Sequence, residues 1–173
     1  LIERRIDQLD FGDFVSNVNA NDDNVTSGNP DLEPERAWRF EAGYEQPILT
    51  DGTLSVLARY EAVQQVMGFV PVTASNGDVF DGPGNIGDGY RLQLITEASI
   101  PTDGIGLKDG RLDVELVLKE SEVEDPVTGE NRRFRYEQPY FFYTEFRQDF
   151  PASKWAWGWD FGLGSTDHFW KIN

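Results

Sequence analysis

The sequence predicts an all-β chain, an antiparallel up-and-down meander, and three observations predict it. Apolar and polar residues alternate with a period of two through most of the 173 residues. Glycine, proline and aspartate cluster between the alternating runs. Long polar connections, near residues 12 to 35, 66 to 89 and 122 to 136, take turns with shorter ones near 47 to 53, 101 to 110 and 150 to 154. All long loops then lie at one end of the meander.

The elements follow in order. Leu1 to Phe14 reads as a partial strand with an uneven period. Pro30 and Pro34 stiffen the loop Gly28-Asn29-Pro30-Asp31-Leu32-Glu33-Pro34-Glu35, because each fixes φ and extends the residue before it. From Arg36 the side chains alternate, with Trp38, Phe40, Ala42 and Tyr44 on one face and Arg39, Glu41, Gly43 and Glu45 on the other. Asp51-Gly52 suits a tight turn through its tolerance of positive φ. The returning strand sets Leu54, Val56, Ala58, Tyr60 and Ala62 against Ser55, Arg59 and Glu61, with Leu57 out of pattern. Val66 to Gly89 reads as a long connection too rich in glycine for a regular element.

Alternation resumes at Tyr90, Leu92, Leu94, Thr96, Ala98 and Ile100 against Arg91, Gln93, Glu97 and Ser99, with Ile95 the exception. After a turn at Pro101 to Gly110, Leu112, Val114, Leu116 and Leu118 oppose Arg111, Asp113, Glu115 and Lys119, and Val117 breaks the pattern. Asp125-Pro126-Val127-Thr128-Gly129 marks a loop tip. Tyr140, Phe142, Thr144 and Phe146 then oppose Glu145, Arg147 and Asp149, although Phe141 and Tyr143 are large for a polar face. Beyond Pro151-Ala152-Ser153, Trp155, Trp157, Trp159, Phe161 and Leu163 alternate with Ala156, Gly158, Asp160, Gly162 and Gly164. The total is six strands and one partial one.

Composition excludes several functions. A formal net charge of −16 argues against nucleic acid and against anionic membrane surfaces, since both require clustered Lys and Arg. Without cysteine there is no disulfide framework and no Cys-based metal site or nucleophile. No stretch approaches 18 apolar residues and no signal peptide opens the chain, so no helical membrane span is predicted. A membrane β-barrel stays open, because alternating strands average to polar. Arg39, Arg59, Arg91, Arg111 and Arg147 all fall opposite the main apolar row. A barrel needs that arrangement, since Arg or Lys facing lipid near the midplane costs about 2–4 kcal/mol. A soluble sandwich would turn the same face to water.

Asn29, Pro30, Leu32, Pro34 and Glu35, followed by Glu41, Gly43, Tyr44 and Glu45, resemble a signature in the barrels of TonB-dependent outer-membrane receptors. Asn85-Ile86-Gly87-Asp88-Gly89-Tyr90-Arg91 is similar to the Asn and Gly elements that open a later strand in that family. The resemblance implies that residues 1–173 are one partial β-barrel domain, a third of a transmembrane barrel of about 22 strands. It implies a place in the cell outer membrane, among outer-membrane lipid, and active uptake of a scarce nutrient such as a siderophore, vitamin or saccharide. It also implies energy supplied by TonB through an N-terminal plug domain, expected upstream, with the chain a piece of a longer receptor. The expected partners are lipid, TonB and an unknown small-molecule ligand, with no nucleic acid. No enzyme activity, cofactor, catalytic residue or metal ligand is assigned, and the substrate contacts are unknown. The alternative is a soluble all-β carbohydrate-binding module using the Trp155, Trp157 and Trp159 ladder. A third class, a β-rich glycoside hydrolase, would need two carboxylates placed across a cleft.

Other motifs read blandly. Asn19-Ala20-Asn21-Asp22-Asp23-Asn24 lacks the spaced acidic ligands and terminal Glu of an EF-hand and reads as a solvated loop. Gly82 to Gly89 has no Gly-Lys-Ser/Thr and no following helix, so it is not a phosphate cradle. Glu120, Glu122, Glu124 and Asp125 are expected to pair with Arg132, Arg133 and Arg135 across a hairpin. His168, beside Asp167, is the single histidine and reads as structural. Asn24-Val25-Thr26 fits a glycosylation pattern that has no meaning in a bacterial outer membrane.

Overall fold

A computed structural model describes residues 2–6, 17–19, 24–26, 29, 31–73, 77 and 79–165. Its strands are β1 (Ile2–Ile6), β2 (Asn17–Asn19), β3 (Asn24–Thr26), β4 (Arg36–Ile48), β5 (Gly52–Gln64), β6 (Met67–Thr73) and β7 (Val79–Asn85). They continue with β8 (Gly89–Pro101), β9 (Gly110–Glu124), β10 (Asn131–Arg132), β11 (Tyr140–Phe150) and β12 (Trp155–Gly164). The main sheet runs β1-β4-β5-β8-β9-β11-β12, with β10 added to β9, and every pairing in it is antiparallel. The sheet is open, with β1 and β12 as its edges. The seven strands along that path correspond to the six strands and one partial strand read from the sequence.

Short turns at 49–51, 102–109 and 151–154 gather at one end, and the long connections 65–88 and 125–139 at the other. The alternation of loop length is thus a property of the fold. Each short turn carries a non-glycine residue in left-handed geometry: Leu49 at φ 54°, Asp109 at 54° and Lys154 at 59°. At the first turn this corrects the expectation built on Asp51-Gly52. Leu49 takes the positive φ, and Gly52 is already strand. A Cβ at Gly52 would sit 2.7 Å from Ser99 O and 2.8 Å from Ile48 O, so glycine is there for close packing.

The segment 66–89 is a second correction. Met67–Thr73 and Val79–Asn85 form a regular hairpin, β6-β7, where the sequence suggested only a connection. Gly68 and Gly84 face each other across it. A Cβ on Gly68 would meet Ile86 Cδ1 at 2.9 Å, and one on Gly84 would collide with Val70. These glycines make room for neighbouring aliphatic side chains. Residues 20–23 of the asparagine-rich loop, Pro30, His168 with Asp167, and the C-terminal Phe169 to Asn173 lie outside the described residues.

Register sorts the side chains onto two faces. One face carries rows such as Phe40–Tyr60–Leu92, Ala42–Ala58–Leu94–Leu118–Tyr140 and Tyr44–Val56–Thr96–Leu116–Phe142–Leu163. The opposite face carries Arg39–Glu61–Arg91–Ser121 and Glu41–Arg59–Gln93–Lys119. The buried apolar cluster of Ala37, Val63, Val66, Ile86, Val123 and Phe134 lies on the charged face at its long-loop end. The apolar face has no such cover. Trp38, Phe40, Tyr44, Tyr60, Leu92, Leu94 and Leu118 on it are all exposed.

Candidate functional site

The charged face is organised around Glu61, whose side chain is 3% exposed. Its two carboxylate oxygens accept from Arg39 Nε and Arg91 Nη1, each at 2.7 Å. Cross-strand register explains why they meet: Arg39, Glu61 and Arg91 are direct partners on β4, β5 and β8. The ladder extends both ways, from Arg39 to Glu3 on β1 and from Arg91 Nε to Glu137 at 2.9 Å. One step along the strands, Arg59 donates to Glu41 at 2.5 Å and to Gln93 at 2.8 Å. Alternating signs on adjacent strands let each charge meet its opposite, which a row of like charges would forbid. Such semi-buried pairs are weak sources of stability but hold their side chains in one geometry.

The loop between β10 and β11 folds onto this face, which the sequence reading missed. Phe134 is buried beneath Arg91, whose guanidinium carbon lies 4.9 Å from the ring centroid. Arg135 lies over Phe69 of β6 at 3.4 Å and over Tyr136 at 4.4 Å. The expected charge pairing across the hairpin holds for Arg132 with Asp125, at 2.6 Å. Arg133 differs, donating to the Lys119 carbonyl, and Glu122 accepts from Asn131 rather than from an arginine. The one signal for this fold-over was the pair of aromatic residues, Phe134 and Tyr136, in an otherwise polar loop.

The two sequence motifs at residues 29–35 and 85–91 are joined by one side chain. Asn85 accepts from Glu33 N–H at 2.8 Å and donates to the Glu33 and Gln65 carbonyls at 2.9 Å each. Glu35 accepts from Met67 N–H at 3.2 Å, and Asp88 from Gln65 N–H at 3.2 Å. A side-chain amide matches the donor and acceptor of one peptide unit, so Asn85 clips the proline-stiffened loop to the base of the β6-β7 hairpin.

The pattern exceptions also resolve into one arrangement. Leu57, Ile95, Val117 and Phe141 are successive cross-strand partners, forming one apolar row between Gly43 and Gly164. This row divides the charged face. Above it lie the arginine ladders. Below it lie Glu45, Glu97 and Glu115, then Asp113, Glu145 and Asp160. Arg111 and Arg147 stand opposite each other at the short-turn end, each relieved by a carboxylate two residues on, Asp113 at 2.9 Å and Asp149 at 2.8 Å. Among the described residues no three carboxylates converge to hold a metal ion.

Aromatic rings lie near both ends of the apolar face, and Phe142 with Phe161 lies between them, their centroids 6.5 Å apart. Phe40, Tyr60 and Tyr90 follow one another near the long loops, with centroids 6.2 and 6.4 Å apart, the first pair tilted and the second stacked. Phe146 with Trp157 and Trp159, and Phe150 with Trp155 at 4.2 Å, lie near the short turns. Along β4 the apolar face runs from Trp38 to Ile48, eleven residues and about 33 Å at strand rise. Neither the protein-family models nor the curated proteins contain a match to this chain.

Proposed function

We propose that this chain is a segment of the barrel wall of an outer-membrane TonB-dependent receptor, which takes up a scarce nutrient actively and without bond chemistry. The observation that carries the reading is the uncovered apolar face: in a soluble protein a sheet of this width would bury it against a second layer. Strands of 10 to 15 residues meet or exceed the 9–11 or so needed to cross a hydrocarbon core. The aromatic groups at both ends suit the two membrane interfaces, about 25 Å apart in such barrels. On this reading the charged face lines the lumen, the long loops are extracellular, and the remaining strands and the plug that couples to TonB belong to the rest of a longer chain. The motif resemblance supplies the family, and the alternating loop lengths agree with it.

Single cysteines on β9 test the topology in detergent or lipid. Lipid-soluble labels are expected to reach positions 114 and 116 and to spare 113 and 115. The reverse pattern overturns the membrane reading. A competing reading, a soluble carbohydrate-binding module, draws on Trp155, Trp157 and Trp159, which are each about half exposed. It requires a monomer that stays folded without detergent.

A further inference from the structure

We infer that the charged face carries a subsite for a carboxylate- or phosphate-bearing solute, centred on Lys119 in a cavity of about 240 Å³. Five of the side chains lining the cavity are cationic (Arg39, Arg59, Arg91, Lys119 and Arg135) and two are acidic (Glu61 and Glu137). The chain as a whole carries −16, so a pocket of this balance runs against its composition.

The carboxylates around the cavity are committed to guanidinium groups, save one oxygen of Glu137, which is buried without a hydrogen-bond partner among the described residues. Both oxygens of Glu61 are taken by Arg39 and Arg91, Glu41 by Arg59, one oxygen of Glu137 by Arg91, and Glu3 by Arg39. Lys119 differs. Among the described residues its ammonium has no ion-pair or hydrogen-bond partner, although its side chain is half-buried against the wall. Gln93, its direct cross-strand partner, has its amide oxygen engaged by Arg59. The rungs hold three guanidinium groups and four carboxylates, Arg135 and Lys119 bring the surroundings to one net positive charge, and an incoming oxyanion would compensate it through a charge-assisted hydrogen bond from the half-buried ammonium.

The rest of the face confines the anion to this cavity. The apolar row Leu57, Ile95, Val117 and Phe141 forms its lower boundary, and the carboxylates of Glu45, Glu97 and Glu115 beyond that row repel negative charge. Tyr136, exposed at the rim, and the ring-stacked Arg135 close the side towards the long loops. The volume equals roughly eight waters, enough for one oxyanion group and its neighbouring atoms. The cavity therefore grips the charged end of a larger solute. Its role as a holding point for cargo rests on the receptor reading, whereas the anion preference rests on the cavity itself.

Calorimetric titration of the full chain in neutral detergent micelles, at neutral pH and low ionic strength, tests the subsite. The probes are citrate, inorganic phosphate and, as a cationic control, spermidine. Citrate or phosphate is expected to bind at one site, more weakly in added salt. Lys119→Gln is expected to lose about tenfold in affinity, Lys119→Arg to keep it, and spermidine to be indifferent to either change. Absence of anion binding, or equal affinity in Lys119→Gln, overturns the proposal. The β9 labelling experiment on the same preparation separates the two readings. Lipid-side labelling at 114 and 116 without anion binding sinks the subsite alone. Reversed labelling with Lys119-dependent citrate binding retires the receptor and leaves an anion site on a water-facing surface.

Discussion

Asn85 is the residue on which the long-loop end turns. Its three hydrogen bonds tie Glu33 to Gln65 across 52 and 20 positions of sequence. At about 0.5–1.5 kcal/mol net for each bond, Asn85→Ala is expected to destabilise by about 1.5–4.5 kcal/mol. Denaturant unfolding measures the loss, and faster amide exchange at Glu33 localises it. Asp125 shows how a turn can be read through pH. Burial pushes its carboxyl up, but the N–H groups of Val127 and Thr128 and the Arg132 guanidinium outweigh burial and hold it below the ordinary value of 3.8. A carboxyl depressed in the folded state stabilises above its unfolded pKa and ceases to do so as pH falls through the folded value. The Val127 and Thr128 amides should therefore titrate with a midpoint below pH 3.8, and Asp125→Asn should remove the transition. Asp125 differs from the neighbouring Glu124 already in the sequence, because it opens the Asp125-Pro126 loop tip, and the turn places its carboxylate under the Val127 and Thr128 N–H groups.

At the scale of elements, each long strand is two-faced, and the lipid reading makes the faces unequal in a measurable way. Ser55 and Val56 are adjacent on β5, one on the charged face beside Glu45 and Glu97, the other between Tyr44 and Thr96. Val56→Arg is expected to cost about 2–4 kcal/mol in a bilayer, and Ser55→Arg close to nothing, because the second faces carboxylates. Reversible unfolding from lipid vesicles measures both, and equal costs would count against a lipid-facing Val56. Strand positions were legible because period-two alternation is local. The β6-β7 hairpin was not, because Gly68, Pro71, Gly82, Pro83 and Gly84 carry loop propensities. Packing of Val70 and Ile86 over the two paired glycines overrides those propensities. The tight turn at Asp51-Gly52 was placed correctly, yet the positive φ went to Leu49, since strand β5 needs Gly52 for its contact with Ser99.

At the scale of the whole molecule, an open sheet with an uncovered apolar face and two free edges is a surface for association. In aqueous buffer the chain is expected to self-associate, and in micelles to give a defined species with antiparallel β circular dichroism. Sedimentation in the two solvents makes the comparison, and a stable aqueous monomer would favour the carbohydrate-binding alternative. The opposite face is ordered along the strands. Its arginine ladders, its apolar divide and its acidic lower half form a vertical gradient of charge along the strands.

The sequence by itself determined the seven strands along the main path, the ordering of long and short connections, and the segregation of arginine from the main apolar rows. All three follow from residue spacing within one strand or loop. Only the tertiary structure decided that Leu57, Ile95, Val117 and Phe141 are a single row, and that Asn85 holds Glu33. It also decided that the loop carrying Phe134, Arg135 and Glu137 folds onto the ladder and encloses Lys119, which has no side-chain partner among the described residues. The physical reason is that register and loop docking are relations between distant segments. A side chain that breaks alternation on its own strand acquires meaning only from the residue placed opposite it.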